Sequence, residues 1–504
     1  MRLLAPLLLI LLAVLLIVQA AFSLQWTPTH DEGPLFYEAF LMQNGKIPYR
    51  DFFDFQMPGS FIAYYLLGIA SGFGPLRIRI FDLAILTAIL IVTFFAMRRF
   101  GRPAAFASAI LFGLEYLQGG PSLALQRDYL LLIFLSLALW VGLTDSPDFR
   151  KRLSLGLLFG LAATIKPHAA LGLVPFLLFD IASLRQRPEF SLASLAKQVI
   201  LPAAIGFAIP VLLITLYLAI TYSLFPFLDI AFNYWKLYSQ INGEMAVTPQ
   251  AERTAYLLNQ VWRLGGGGWW LIPAGFGLYL HRNRQAYLLA SLALCYAIYP
   301  ALSGQFFPYH YIPFVYCIVL LASLAVPTNY QPFDRLRAAF PITHLSSFLF
   351  LLTILINVRP SQTFLRQIEG KDIATSTDRA VEMEQFLEKN LAAGDTVQPL
   401  DWTGGALLAM LETRAPLATS YVFDFYFYHH VSDPYIQSLR SDFMTQLREA
   451  KPRFIIEVTA IDKPWVSGED TSRDFPELRA FLDEHYSVTI EKDDYIIYEL
   501  DDGR

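Results

Sequence analysis

Apolar residues run almost unbroken through eleven stretches of the chain: roughly 3–24, 78–97, 103–119, 122–143, 153–166, 167–184, 198–220, 268–281, 286–303, 308–327 and 340–358. A helix needs about 20 such residues to cross the hydrocarbon core of a bilayer. The pattern therefore predicts a polytopic α-helical membrane protein with about eleven spans, those at 153–166 and 268–281 having the least defined ends. Phe61–Phe73 is too short to cross, since its 13 residues rise only about 20 Å as a helix. It is expected to lie outside the core or to dip into it. Leu3–Val18, with Arg2 before it and Val18-Gln19-Ala20 after, has the form of a signal peptide. Because the apolar run continues to about Leu24, an uncleaved first span is expected.

The polar segments between these runs set the topology. With Phe61–Phe73 left out of the count, one side receives Arg98, Arg99, Arg102, Arg150, Lys151, Arg152, Arg185, Arg187, Lys197, Arg282, Arg284, Arg335 and Arg337, all in short loops. By the positive-inside rule that side is cytoplasmic. The N-terminus is then cytoplasmic, in the cytoplasmic (inner) membrane. Segments 25–77, 221–267 and everything after Val358 fall outside. From Arg359 the pattern changes to that of a soluble chain. Ala380–Asn390 and Glu477–His485 have helical periodicity, and Thr396–Leu400, Phe454–Val458 and Tyr495–Leu500 read as strands. The expected division is a transmembrane domain at 1–358 and an extracytoplasmic α/β domain at 359–504.

Composition agrees with the pattern: 55% of the 504 residues are hydrophobic and 16% charged, against about 25% charged in soluble proteins. The net charge of -5 and the lack of a basic stripe give no reason to expect nucleic acid as a partner. Cys295 and Cys317 sit in apolar runs and read as buried thiols. No P-loop, GxSxG, CxxC or Asp-x-Asp occurs. The last of these would be expected of a site that holds a nucleotide diphosphate through a metal.

One polar interruption stands out, Trp26–Ser60, where seven charged residues are interspersed with eight aromatic ones. Charges beside rings at a membrane surface suit a site that handles the polar group of a lipid. Gly33-Pro34 starts and Asn44-Gly45 ends a short amphipathic helix expected to lie in the membrane surface. Asp31 and Glu32 at its head are candidate general bases for a hydroxyl acceptor. Thr29 to Glu32 also has capping-box spacing, which offers Glu32 a structural role. Tyr37, Arg50 and the Phe52–Phe55 cluster are candidates to line a sugar or phosphate site.

Further candidates lie at the outer ends of later spans. Asp128 is ionisable at membrane depth, where charge is costly and usually functional; the alternative is an ion pair with Arg127 that only orients the helix. Lys166, in Ile-Lys-Pro-His, can meet a phosphate or snorkel to the interface. His168 reads as interfacial. His310, amid Gln305-Phe-Phe-Pro-Tyr-His-Tyr-Ile-Pro313, either donates to an oxyanion or belongs to an aromatic belt. Lys236, Arg253 and Arg263 are further cations in the second large outer loop. His429-His430 lacks metal-site spacing.

Taken together, Thr29-His-Asp-Glu-Gly-Pro-Leu-Phe-Tyr37, Pro48-Tyr-Arg-Asp-Phe-Phe-Asp-Phe-Gln-Met-Pro-Gly-Ser60, Arg127-Asp128 and His310-Tyr-Ile-Pro313 resemble the C-type (GT-C) membrane glycosyltransferase superfamily. The resemblance covers roughly residues 1–360 and is nearest the bacterial relatives of protein O-mannosyltransferases and of the lipid A aminoarabinose transferase. It implies an inverting transferase that moves a sugar from a polyprenyl-phosphate donor to an acceptor outside the cytoplasmic membrane, with Asp31 as base and Asp128 as second acid. Gln56-Met57-Pro58-Gly59 stands where the aminoarabinose branch has a Lys-Pro-Pro run, so either another cation meets the donor phosphate or the branch differs. Arg127 and Lys166 are candidates. A lipid phosphate is already a good leaving group, so the chemistry demands no metal and no cofactor. The acceptor, whether lipid, polysaccharide or protein, is left open. A surface-polysaccharide polymerase or ligase is the alternative, and a lipid-linked sugar transporter a more distant one, since transporters place charges at mid-membrane and carry repeats.

Overall fold

A computed structural model describes residues 4–144, 148–186, 191–326, 351–352, 354–371 and 375–501. The chain forms two compact units. The first comprises Met1–Gln25, Arg79–Ile214 and Leu257–Lys371; the second comprises Trp26–Ile78, Thr215–Tyr256 and Asp372–Arg504.

The first unit is helical. Among the described residues, five helical stretches are long and apolar enough to cross a membrane: Pro6–Ser23, Pro75–Phe100, Pro167–Leu184, Leu192–Ile220 and Arg284–Ser303. The spans predicted at 103–119, 122–143, 153–166, 268–281 and 308–327 are also helical, as Arg102–Gln118, Arg127–Gly142, Phe149–Ile165, Leu271–Leu280 and Ile312–Ser323, each shorter than 18 residues. The span predicted at 340–358 falls mostly outside the described residues. Both cysteines are free thiols, Cys317 buried and Cys295 half-buried.

Helices in lipid gain little from excluding apolar surface from one another, so close packing must hold them. Gly156 and Gly160, four residues apart in Phe149–Ile165, supply it. A Cβ on Gly160 would lie 2.6 Å from the Phe207 carbonyl oxygen, and one on Gly156 would run into the backbone of Ala203. A buried ion cluster fixes the same region. Asp180 accepts from Lys151 Nζ at 3.3 Å and from Arg152 Nε at 2.9 Å. Part of the basic loop is thus neutralised by an acid inside the next apolar run.

The second unit contains a four-stranded sheet of β1 (Val397–Leu400), β2 (Phe454–Val458), β3 (Tyr486–Glu491) and β4 (Tyr495–Leu500), in the order β1-β2-β4-β3. The β1–β2 pair is parallel; β2–β4 and β3–β4 are antiparallel. Every residue of β1 and β2 is buried, Gln398 and Glu457 among them. The helices Thr375–Asn390 and Pro476–His485 were anticipated from their periodicity; Ala406–Glu412 and Pro434–Ala450, and strand β3, were not.

The outer-loop helix is Glu32–Gln43, close to its expected ends. Its environment differs from the expectation. All residues from Glu32 to Leu41 are buried, so it is not an amphipathic helix with one solvated face. It packs on Pro58–Ser71 and on Ala406–Glu412. Its two glutamates, Glu32 and Glu38, are both fully buried.

Candidate functional site

In the first unit, three breaks in regular structure bring a charged cluster together. Leu125 has φ of 45°, a conformation disfavoured for leucine, and the helix Arg127–Gly142 begins two residues later. This places Asp128 in the first helical turn, where the helix dipole favours an anion. Pro167 stops the preceding helix, leaving Lys166 at its extended C-cap. A short turn, Pro308–Tyr311, carries His310.

The Asp128 carboxylate is fully buried. Its Oδ2 accepts from Lys166 Nζ at 2.5 Å, and its Oδ1 accepts from the Tyr299 hydroxyl at 2.6 Å. The partner of Asp128 is therefore Lys166, in addition to any influence of the adjacent Arg127. Lys166 Nζ also lies 5.3 Å from the centre of the Tyr309 ring. His310 Nδ1 is 2.6 Å from the Gln305 carbonyl oxygen. A carbonyl only accepts, so that nitrogen carries the proton. The Tyr299 ring centre is 6.4 Å from that of His310 and 5.9 Å from that of His168. Arg127, beside Asp128, is buried as well.

The structure thus joins Asp128, Lys166 and His310, three residues singled out separately in the sequence. Tyr299 was missed, because a tyrosine inside the apolar run Arg284–Ser303 reads as packing. A second network was also missed. Asp82 accepts from the Tyr116 hydroxyl at 2.6 Å and lies 3.4 Å from Arg79, all buried. Its signal was available, since Arg79 and Asp82 are spaced i, i+3 within one span.

In the second unit, Asp31 stands at the N-cap of Glu32–Gln43 without a side-chain capping bond, and is buried. His30 precedes it in a left-handed conformation, φ 58°, with Nδ1 3.4 Å from Asp31 Oδ1. Partial burial works against the charged imidazole. The hydrogen bond and charge of Asp31, with Glu32 adding, outweigh it and hold the His30 pKa above its ordinary value. Glu32 reaches back instead, its Oε2 accepting from the Thr29 backbone N–H at 3.2 Å. That is one arm of a capping box. A narrow pocket adjoins, lined by Thr29, His30, Pro34, Trp402 and Thr403 among others, all within this unit.

Other candidates take structural positions. The Tyr37 hydroxyl donates to the Ala415 carbonyl at 2.8 Å from a fully buried ring. Arg50 makes a two-pronged pair with Asp51, at 2.9 and 2.8 Å, and donates to the Thr221 carbonyl. Phe53 and Phe55 pack edge-on against Tyr426, which carries them into an aromatic core with Tyr234. Arg253 donates to the Ser239 carbonyl at 2.6 Å. His429 and His430 are buried and contact the Tyr234 hydroxyl and the Leu237 carbonyl. Burial, with His430 adding, pushes the His429 imidazole down to about 3. Among the described residues, no group of three or more His, Cys, Asp or Glu side chains is arranged to hold a metal.

The apolar helices of the first unit, with charged groups at their ends, and the small sheet of the second define a class, a polytopic helical membrane protein with an α/β region. Residues 60–214 match the model of the family "Dolichyl-phosphate-mannose-protein mannosyltransferase". The fold is similar to that of ArnT from Cupriavidus metallidurans bound to undecaprenyl phosphate, with TM-score 0.59, 13% identity and 97% of each chain covered. The apo state of the same protein gives TM-score 0.58, again at 13% identity over 97% of each chain. No curated protein matches the chain by sequence. The family match is confined to residues 60–214, and the likeness to ArnT is one of fold.

Proposed function

We propose that this protein is an inverting glycosyltransferase that takes a sugar from a polyprenyl-phosphate donor and passes it to an acceptor on the outer side of the cytoplasmic membrane. The observation that carries the reading is the Asp128–Lys166 pair, with Tyr299 and His310, at the ends of apolar helices. Asp128 holds the ammonium of Lys166 in place. Such a fixed cation suits the phosphate of a lipid donor, and fixed charge needs no reorganisation as the leaving phosphate develops. The undecaprenyl phosphate bound to ArnT is a lipid of this class.

In this reading Asp31 takes the proton of the acceptor hydroxyl as its oxygen bonds to the anomeric carbon. The bond from that carbon to the phosphate oxygen breaks on the opposite face, which gives inversion. Lys166 and Arg127 balance the charge of the departing lipid phosphate. Glu32, bonded to Thr29, shapes the loop that presents Asp31. The test supplies purified protein in lipid with radiolabelled polyprenyl-phosphate sugar or, separately, with the nucleotide sugar. Transfer from the lipid alone is expected. Transfer from the nucleotide sugar without a lipid intermediate would refute the donor assignment.

A further inference from the structure

The first unit contains a cavity that the proposed reaction has not yet used. It is lined by Phe112, Glu115, Tyr116 and Gln118, by the turn Gly265–Gly267, and by Pro308, Ile312 and Val315. Its volume is about 290 Å³, roughly the share of ten waters in the liquid, so it admits a single sugar ring. One side chain in it is held and unsatisfied at once. Glu115 Oε1 accepts from the Trp270 indole N–H at 3.0 Å, which fixes the carboxylate. Its Oε2 is buried and no group among the described residues bonds it. Buried carboxylate oxygens are normally satisfied, and an exception calls for a reason.

The rim is built to leave this space open. Leu264, Gly265 and Gly266 all have positive φ, at 49°, 58° and 83°. A Cβ on Gly265 would run into the Tyr311 ring, so only glycine allows the turn to pass so close. The far wall is Pro308 and Ile312, which bracket His310 in sequence. One short turn therefore serves both this cavity and the Asp128–Lys166 cluster.

We propose that this cavity is the subsite for the sugar ring of the lipid-linked donor, with Glu115 accepting hydrogen bonds from its hydroxyls. The inference rests on the donor reading above. The lining argues for a sugar over other ligands. No lysine or arginine is among the described lining residues to meet a phosphate or another anion. Phe112, Ile312 and Val315 offer apolar surface to the C–H faces of a pyranose or furanose, which a bare cation would not use. An isoprenoid chain would have no use for a fixed carboxylate.

The experiment compares binding of undecaprenyl phosphate with that of undecaprenyl phosphate bearing mannose, glucose or arabinose, using the purified full-length protein. Wild type should bind one or more of the sugar lipids more tightly than the bare lipid. Glu115→Gln keeps an oxygen for Trp270 and loses the charged acceptor. It should weaken the preferred sugar lipid by about tenfold or more and leave the bare lipid within about twofold. Val315→Trp, which fills the cavity from another wall, should do the same without touching Glu115. Equal weakening of both lipids would overturn the proposal, because the cavity would then take the prenyl chain. So would unchanged binding in both variants. Failure of wild type to bind any of these lipids would overturn the donor reading itself, and this inference with it.

Discussion

Lys166→Met tests whether the charged cluster does more than hold helices together. The pair is short, 2.5 Å, with Asp128 fully buried and the Lys166 side chain 13% exposed. At an effective dielectric constant of about 20, two charges that close attract by about 7 kcal/mol before desolvation is subtracted. Burial offsets most of this, so the pair as a whole adds little net stability. Removing one partner differs, because it strands the other charge. Asp128 would retain the Tyr299 hydroxyl and lose its counter-ion, at a cost of about 3–5 kcal/mol. Lys166→Met should therefore lower the thermal midpoint of the detergent-solubilised protein by several degrees. The double variant Asp128→Leu/Lys166→Met should recover much of that loss, since no charge is left stranded. Transfer should not recover, because the double variant has no lysine for the phosphate. The assay is thermal unfolding of wild type, both single variants and the double variant, with transfer measured on each. If the double variant regains activity along with stability, the pair is structural and the phosphate assignment is wrong. If Lys166→Met unfolds like wild type, the pair is not formed as described.

Two further outcomes follow from the second unit. Glu32→Ala should cost stability more than turnover, by about 0.5–2 kcal/mol as for other lost caps, read as a lower thermal midpoint with near-normal kcat; loss of turnover with unchanged stability would make Glu32 the base. The His30–Asp31 contact should give a pH-dependent difference between wild type and His30→Gln. The His30 pKa is raised on folding, so the contribution is full below the unfolded value of about 6.5 and is lost as pH rises through the folded value. For a half-exposed ring the difference is about 0.2–1 kcal/mol; a gap in thermal midpoint that widens above pH 8 would contradict it.

The apolar runs revealed the helical character of the first unit because length and composition alone determine whether a segment suits a bilayer. They did not reveal which residues pair. Asp128, Lys166 and His310 lie in three segments far apart in sequence, and each looked ambiguous on its own. Only the fold supplies Tyr299 as the fourth member. Likewise Glu115 looked like one polar residue in an apolar helix, and its Trp270 partner is 155 positions away. The outer-loop helix was misjudged for a related reason. The helical spacing of Leu35, Phe36, Ala39, Phe40 and Met42 reads as one apolar face, whereas contacts with Pro58–Ser71 and Ala406–Glu412 leave every residue from Glu32 to Leu41 buried. In the α/β region, strands β1 and β2 were legible at Thr396–Leu400 and Phe454–Val458, close to their observed ends. Strand β3 was not, because only Tyr486 of its six residues is buried.

The central claim is that Asp31 activates an acceptor toward a lipid-linked sugar. Its most direct test is the single-turnover rate of Asp31→Asn with a polyprenyl-phosphate sugar, measured beside Asp128→Asn and wild type. The asparagine keeps the size of the side chain and loses its basicity. General-base assistance is worth about a hundredfold to ten-thousandfold. Asp31→Asn should lose turnover in that range and Asp128→Asn less, with donor binding and thermal stability of Asp31→Asn close to wild type. Wild-type turnover by Asp31→Asn would show that Asp31 is not the base.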